Sequence, residues 1–353
     1  GAREPAVGAA DFGGGADTLT LADSAVFSGA LANSGGLAVK VTGGTLGVSK
    51  PASIASLEVG AKGVLAVTLD KAAGQGTALT VAGNAAFAEG AKLSLRLADV
   101  STAEGNYTVL TAGSLTGRDK LETATDLVPF MFKATLDKDA PANVIVVDVA
   151  RRTVRELGLN RSQSTAYDAI FAALAKDDDI EKVFLGDTNG DAFREHVSEM
   201  LPDHAGGAFE GISMGVRTLT RQLQDPQGPV FGESRLVTRA NLSFWGSDKG
   251  TGASAAYNLQ GYAMSLSAEY ATNIGYFGGT LAYLWNRYTR GAASEIKSNS
   301  WELAGHWRHE SGPVAAYARG SIGRASYDSE RKFVGVADAT TINRAIDGSW
   351  NGN

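Results

Sequence analysis

Short alternating runs of apolar residues dominate the first 150 residues of the chain. Leu37, Val39 and Val41 form one such run, and residues 65–69 hold another. Because successive side chains of a strand point to opposite faces, each run predicts a short strand with one buried face. Small Gly or Asn turns close the runs at intervals of roughly 8 to 15 residues. This pattern is typical of a β-solenoid, whose rungs stack Leu and Val on one another, although a β-sandwich also fits it.

The predicted strands become longer and richer in aromatic residues toward residue 150. The stretches "GNYTVLTAGSLTG" and "PFMFKATLDKDAPANVIVVDV" show this change. A solenoid has to cover its open end, since the last rung otherwise exposes apolar surface. We therefore expect residues 1–106 to form the solenoid and residues 107–152 to form a compact β-cap.

A helical pattern replaces the strands over residues 153–229. Apolar residues recur at helical spacing between Tyr167 and Leu174, and Ser164 is placed to cap that helix. Two shorter helices are predicted at 180–185 and 192–201. We expect this region to be a helical linker.

One more helix is predicted over residues 206–223. Arg217 and Arg221 lie four residues apart on it, where they can meet carboxylates. Glycine costs about 1 kcal/mol at each position of a helix interior. Glycines that share one face therefore indicate close packing against a wall. Three glycines at spacing four form such a face: Gly207, Gly211 and Gly215.

Longer, aromatic-rich strands are predicted from residue 230 to the last residue. Segments 235–244, 262–270, 277–286 and 301–310 all alternate, and the last reads "WELAGHWRHE". One of its sides carries Trp301, Leu303, Gly305 and Trp307. A soluble sandwich would bury that side, whereas an outer-membrane barrel would turn it to lipid and its charges to a polar lumen.

The position of the aromatic residues favours the membrane barrel. Tyr262 and Tyr270 bracket one strand, and Trp301 and Trp307 bracket another, as aromatic girdles at two membrane interfaces do. The other side is small or polar and leaves a lumen that the glycine-bearing helix can occupy. We expect the charged lumen residues to pair with one another or with the arginines of that helix: Arg239, Glu269, Glu302, His306 and Arg308. A soluble β-domain remains the alternative.

Composition narrows the function classes. The net charge of −6 and the pI near 5.4 argue against a nucleic-acid partner. The 353 residues include no cysteine, which excludes disulfides and thiolate sites. The sequence has no apolar run of about 18 residues that would predict a transmembrane helix. It opens without a secretion signal and stops within a predicted strand, so we expect it to be an internal fragment.

The motifs that suggest chemistry are weak. "GISMG" at 211–215 matches a nucleophile elbow, but the surrounding pattern is helical and no strand precedes it. "DTNGD" at 187–191 resembles the start of a calcium loop but lacks the required Gly and Glu. His306 and Glu302 alone do not make a metal site. No P-loop, dinucleotide fingerprint or zinc spacing occurs, so we expect no enzymatic activity, no metal and no cofactor.

The order of these segments resembles the carboxyl-terminal half of bacterial autotransporters. The resemblance runs from about Tyr107 to the last residue and rests on "LGLNRSQSTAYDAIFAAL", "MLPDHAGGAFEGISMGVRTLTRQL" and "NLSFWG". It implies a mainly β chain: a right-handed β-solenoid passenger stem with a cap, a helical linker, and an antiparallel outer-membrane β-barrel over 230–353. Residues 206–223 would be the pore helix, and residues 107–150 would template passenger folding.

The resemblance also implies a function and a location. The chain would be a translocator that exports and displays its own passenger, monomeric in the outer membrane of a Gram-negative bacterium with the stem on the cell surface. Membrane lipid, the barrel-assembly machinery and periplasmic chaperones would be its partners. The alternative is a surface adhesin that binds through its solenoid and ends in a soluble β-domain.

The sequence departs from the family pattern at two points. Only about five complete strands and the start of a sixth follow the helix, so we expect this chain alone not to insert, since open sheet edges are costly in lipid. The linker also lacks the Asn-Asn pair at which some members are cleaved, which puts self-cleavage in doubt.

Overall fold

The computed structural model describes residues 6–71, 76–121, 128–202, 206–222, 230–231, 235–337 and 339–352. The fold is mainly β. It divides into two compact units. The first comprises Gly1–Leu159, Ala166–Val197 and Gly335–Ile342; the second comprises Asn160–Thr165, Ser198–Val334 and Asn343–Asn353. The residues of the predicted linker are thus shared between the units. His204 and the predicted helix end at Leu223 lie outside the described residues.

The strands of the first unit are short. A 3-10 turn at Arg118–Lys120 lies between its eleventh and twelfth strands. In chain order the strands are β1 (Ala6–Asp11), β2 (Thr18–Leu21), β3 (Val26–Ala32), β4 (Ala38–Val41), β5 (Thr45–Val48), β6 (Ala52–Ile54), β7 (Ser56–Val59), β8 (Val64–Leu69), β9 (Leu79–Phe87), β10 (Lys92–Leu97), β11 (Gly105–Thr116), β12 (Phe132–Leu136) and β13 (Val144–Arg151).

Two parallel sheets share these strands. One sheet has the order β1-β3-β5-β8-β10, and the other runs β2-β4-β7-β9-β11 before it ends with β13 and β12. The chain therefore passes repeatedly from one sheet to the other. In-register apolar residues stack between neighbouring strands: Leu46 pairs with Leu65, which pairs with Leu93. All three are fully buried, and each contributes roughly 1.5–3 kcal/mol of hydrophobic free energy.

The pairing changes direction where the second sheet ends. β11 pairs parallel with β9 but antiparallel with β13, and β12 is antiparallel to β13. The predicted cap region thus forms antiparallel strands on the edge of a parallel sheet. The backbone hydrogen bonds on one edge of β11 are made with β9, and those on its other edge are made with β13 of the β12–β13 hairpin.

Three helices follow β13: α1 (Arg161–Leu174), α2 (Asp178–Gly186) and α3 (Gly190–Met200). The prediction that Ser164 caps α1 is wrong. Asn160 Oδ1 accepts a hydrogen bond from the backbone N–H of Gln163, and Gln163 Oε1 accepts one from the N–H of Asn160. This reciprocal pair is a capping box, which satisfies two donors and so outcompetes a lone serine one turn later. Asp177 caps α2 alone, since its side chain accepts hydrogen bonds from the backbone N–H groups of Asp179 and Ile180.

An aromatic cluster packs these helices within the first unit. The Phe193 ring lies 6.1 Å from that of Tyr167 and 5.8 Å from that of Phe184. The guanidinium of Arg151, at the end of β13, lies 3.9 Å from the centre of the Phe171 ring and binds Asp168 at 2.7 Å. Cation–π and ion-pair contacts thus connect α1 to the last strand of the sheet.

The second unit is built around long antiparallel strands and one helix, α4 (Gly207–Arg221). The strands follow one another in space as in sequence. They are β14 (Val230–Phe231), β15 (Leu236–Lys249), β16 (Tyr257–Thr272), β17 (Gly275–Arg290), β18 (Ser294–Ser311), β19 (Val314–Ala337) and β20 (Thr340–Gly352). Most are longer than the predicted apolar segments, because hydrogen bonding continues into the polar residues on either side.

Candidate functional site

The two faces of the antiparallel sheet are inverted relative to those of a soluble protein. On β18, Trp301 and Leu303 are 57% and 58% exposed, whereas Glu302 and His306 are 6% and 7% exposed. The large apolar side chains thus face outward, and the charged side chains are covered. We call the first side the apolar face and the second the helix-side face.

On the apolar face, residues that pair in register from β15 to β19 form rows across the strands. Along the strands, an aromatic row near one end is followed by a row of small residues and then by an aliphatic row. Further aromatic residues come next, and a charged row lies beyond them. The aromatic row contains Tyr270, Phe277 and Trp307. The aliphatic row contains Leu266, Leu281, Leu303 and Ile322. The second aromatic row contains Phe244, Tyr262 and Trp285, and the charged row contains Arg287, Lys297 and Asp328.

The helix α4 packs against the opposite face through its glycine stripe. A Cβ atom added to Gly207 would lie 2.1 Å from Cε2 of Tyr288, and one added to Gly215 would lie 2.4 Å from Cδ2 of Leu284. A Cβ atom added to Gly211 would lie 3.0 Å from Asn286 and 3.1 Å from Leu259. Side chains at these positions would collide with the sheet. Close packing of the helix therefore offsets the unfavourable helix propensity of the three glycines.

Leu284, which breaks the alternation of its strand in the sequence, belongs to this contact. It is buried with Leu219 of α4 and with Ala263 and Ala282, and Trp245 packs beside them. The apparent irregularity is an apolar residue on the helix-side face, placed where α4 covers it. Strand periodicity alone does not reveal such a residue, because its partner is a helix distant in sequence.

Asn286 and Gln222 supply hydrogen bonds beneath the helix. Trp245 Nε1 donates to Asn286 Oδ1 at 2.9 Å, and Asn286 Nδ2 donates to Ser298 at 3.3 Å. At the end of α4, Gln222 Nε2 donates to Asn241 Oδ1 at 2.7 Å. A polar group thus joins the end of α4 to the sheet, and the Asn286 hydrogen bonds hold together the part of the sheet on which the middle of the helix packs.

Glu269 is the centre of a buried ion cluster beyond the end of α4. Its Oε2 accepts from Arg239 Nη1 at 2.6 Å, and its Oε1 accepts from Arg308 Nε at 2.8 Å. His306 Nε2 lies 3.0 Å from the same Oε1. The Arg308 guanidinium also stacks 4.2 Å from the centre of the Tyr276 ring. Several hydrogen bonds thus compensate the cost of taking this carboxylate out of water.

Gly278 makes this cluster possible. It lies in register between Glu269 and His306, and a Cβ at this position would come within 2.5 Å of His306 Nε2. The two side chains therefore meet across the intervening strand. A glycine inside a strand pattern is a sign of such close approach, and that sign was present in the sequence.

Glu302 forms a second ion pair with Arg319, which sequence reasoning missed. The other oxygen of Glu302, Oε2, and His306 Nδ1 are buried without a hydrogen-bond partner among the described residues. All five predicted lumen residues thus lie on the helix-side face. Their carboxylates bind residues of the sheet rather than the arginines of α4: Arg217 is 3.8 Å from Glu210 of its own helix, and Arg221 is exposed.

The weaker motifs have ordinary structural roles. Ser213 lies inside α4, without the strand and sharp turn of a nucleophile elbow. Asp187 Oδ2 lies 2.7 Å from His196 Nδ1 in the first unit. Burial raises the pKa of Asp187, and the hydrogen bond with His196 opposes that shift. Within the described residues, no cluster of three His, Asp or Glu side chains could hold a metal ion.

No protein-family model, no curated protein and no solved structure matches the chain. Among the described residues, no helix is both long and apolar enough to span a membrane. The inverted sheet and the helix packed on it are therefore the features from which a function can be proposed.

Proposed function

We propose that the protein is an autotransporter of the outer membrane. In this proposal β15 to β20 belong to its translocator barrel, α4 lies in the lumen, and the first unit is the stem of the exported passenger. The inversion of the sheet carries the proposal, since apolar side chains face outward and charged ones are covered.

The inversion is costly in water and favourable in lipid. In water, burying a Leu or Ile side chain completely stabilises the fold by roughly 1.5–3 kcal/mol relative to leaving it exposed. The aliphatic row would forgo this gain at Leu266, Leu281, Leu303 and Ile322, all at least half exposed. Contiguous apolar patches of this kind mark contact with a membrane or a partner. If the apolar face borders lipid hydrocarbon, these side chains are out of water and this free energy is not lost.

The aromatic rows give the apolar face the height of a bilayer core. The strand segment from Tyr262 to Tyr270 is about 27 Å long at ~3.4 Å per residue. A strand tilt of about 40° reduces this to a height of about 21 Å. Outer-membrane barrels carry an apolar band about 25 Å tall between two aromatic girdles.

The edge of the apolar band runs obliquely across the strands. On β17 the band extends to Trp285, whereas on β18 its last aromatic residue is Trp301 and Asn299 follows. On β19 it ends one step earlier, where Ile322 is followed on the same face by Arg324. A level membrane surface meets tilted strands in this way.

The helix-side face suits a narrow polar conduit. Glycines keep α4 close to the wall, and the ion cluster around Glu269 lines the region beyond Gln222. Within the cluster, Arg239 and Arg308 compensate the charge of Glu269, so this part of the wall is polar while its central carboxylate is paired. A lumen helix held in this way is what the resemblance to autotransporters implies for residues 206–223.

The first unit supports the remaining part of the proposal. Its two parallel sheets, visited alternately by the chain and filled by stacked Leu and Val, are typical of a β-solenoid. The antiparallel strands β12 and β13 at the end of one sheet correspond to the expected cap. Folding of such a stem outside the cell would favour outward movement, with roughly 5–15 kcal/mol available per domain.

Display on intact cells tests the function. The protein is expressed from its complete natural reading frame in a Gram-negative host, with an epitope inserted in the exposed turn at Gly13–Gly14. We expect antibody to bind intact cells, and Gly215→Leu to reduce that signal strongly because its side chain would displace α4 from Leu284. Arg217→Leu, an exposed change on the same helix, is the matched control.

Two results would contradict the proposal. An epitope that antibody reaches only after permeabilisation would exclude surface display. A protein recovered in soluble form, with the apolar face covered by another chain, would support the alternative of an adhesin with a soluble β-domain.

A further inference from the structure

One exposed arginine lies on the apolar face at the edge of the band. Arg324 pairs in register with Trp301, one step beyond the pair of Ile322 and Leu303. No hydrogen bond or ion pair joins its side chain to the described part of the chain. A guanidinium beside apolar side chains at a membrane boundary is costly unless an anion or the interface accommodates it.

The neighbouring cations of this face already have partners. Arg287 Nε binds the carboxylate of Glu295, and Lys297 Nζ lies 3.2 Å from the same carboxylate. Both cations thus already bind one and the same carboxylate of the protein. Arg324 is the cation of this edge that keeps its full hydrogen-bonding capacity for a ligand.

A second donor lies beside Arg324. The Tyr283 hydroxyl donates to Asn299 Oδ1 at 2.7 Å, which leaves the amide nitrogen of Asn299 free to donate. Asn299 is on the same face as Trp301 and pairs with Ser326, the next outward residue after Arg324. A guanidinium and an amide N–H diagonal to each other on one face can together hold phosphate oxygens.

An apolar groove begins at the same aromatic pair. It has a volume of about 550 Å³. The rings of Tyr283 and Trp301 lie 5.1 Å apart at its upper wall. Its other apolar lining residues are Leu242, Met264, Leu266 and Leu281. The groove crosses strands β15 to β18 within two neighbouring rows of the apolar face, and Trp301, on its last strand, pairs in register with Arg324. Its apolar lining suits a hydrocarbon chain.

We propose that this surface binds an anionic, phosphate-bearing lipid of the membrane, with the phosphate on Arg324 and Asn299 and one acyl chain in the groove beside Trp301. The inference rests on the proposed function, because the apolar face must border lipid. It adds a specific headgroup site to a surface that otherwise contacts lipid without selectivity.

Native mass spectrometry of the detergent-solubilised full protein tests the site. Phosphatidylglycerol and phosphatidylcholine with identical acyl chains are titrated separately, and the lipid-bound fraction is compared. We expect about fivefold tighter binding of phosphatidylglycerol, as one membrane-surface cation provides. Arg324→Gln should abolish this preference, Arg324→Lys should restore part of it, and Arg287→Gln should leave it unchanged because Glu295 already neutralises that side chain.

Each other outcome counts against the inference. A preference that survives in Arg324→Gln, or falls equally in Arg287→Gln, would show general electrostatic attraction. Inorganic phosphate that displaces the lipid completely would show an anion site without a role for the groove. Spin labels attached to the apolar face separate the two claims. If the labels are in lipid but no preference for phosphatidylglycerol is measured, only this inference fails. If the labels are in water, the proposed function fails.

Discussion

The glycines of α4 show how the absence of a single carbon atom positions a whole helix. At Gly207, Gly211 and Gly215 the backbone of the helix comes within van der Waals contact of the sheet, at distances that no Cβ permits. Their spacing of four, visible in the sequence, predicted a close wall. The residues of that wall were not predicted, because Tyr288, Asn286 and Leu284 come from a strand far along the chain.

We predict that Gly215→Ala destabilises the second unit by up to about 2 kcal/mol. Overpacking costs typically 1–3 kcal/mol, and the gain in helix propensity returns about 1 kcal/mol of it. The new Cβ would lie 2.4 Å from Leu284 and 3.0 Å from Trp245. All five tryptophans belong to the second unit, so thermal unfolding monitored by tryptophan fluorescence reports on it. Arg217→Ala, on the exposed side of the same helix, should unfold like the parent protein; equal effects would contradict the packing account.

In the first unit, Glu156 should make folding sensitive to acid. The hydrogen bond from Lys133, followed by those from Thr153, lowers the pKa of Glu156 from 4.5 to about 2. A depressed folded pKa stabilises the protein above the unfolded pKa, and the contribution is lost as the pH falls from about 4.5 to about 2. We expect a small effect, since the group is exposed.

We predict that Glu156→Gln lowers the unfolding temperature at pH 7 but not at pH 2, as measured by circular dichroism. Lys133→Met removes the main cause of the shift and should reproduce part of the effect. An identical decrease at both pH values would contradict an electrostatic origin.

At the scale of the elements, alternation within one strand predicted which side chains share a face, and register determined what they meet. The face of Trp301 and Leu303 is visible in "WELAGHWRHE", and the structure keeps that division. The residues of the ion cluster were predicted, but their pairing was not, since it depends on Gly278 lying between Glu269 and His306.

Other elements were hidden for definite reasons. β19 alternates poorly because Ala318 stands where the neighbouring strand carries Trp307, and Arg319 was missed with it. The start of α1 was misplaced because Ser164 is a good cap by type, whereas Asn160 and Gln163 cap it together. In both cases the structure depends on contacts between particular residues, which a pattern of residue types in the sequence does not reveal.

We predict unequal effects of alanine at two adjacent glycines of β17. Gly278→Ala places a Cβ 2.6 Å from the Ala268 carbonyl oxygen and 2.5 Å from His306, so it should destabilise the second unit by about 1–3 kcal/mol. Gly279→Ala, whose Cβ would meet nothing nearer than 3.7 Å, should change stability by less than about 0.5 kcal/mol. Tryptophan-monitored unfolding measures both variants, and equal losses would show that the strand merely tolerates no alanine.

At the scale of the whole molecule, the two units place their large apolar side chains differently. The charges of the second unit are paired on the helix-side face, and its large apolar side chains form rows with an oblique edge on the other. The first unit keeps its apolar residues inside, as Leu46, Leu65 and Leu93 show. This difference between the units is what the proposed function, a displayed passenger on a membrane anchor, requires.

The orientation of β18 in a bilayer tests the central claim most directly. Leu303→Cys and Ala304→Cys are introduced separately into the protein made from its complete natural reading frame, with any cysteine outside these 353 residues replaced by serine, so that each variant carries one spin label in lipid bilayers. Electron paramagnetic resonance then compares collisions with oxygen, which concentrates in lipid, and with a water-soluble nickel complex. The account predicts that the label at position 303 collides with oxygen and is shielded from nickel, whereas the label at position 304 shows no such preference for oxygen. A label at position 303 that nickel reaches freely would contradict it.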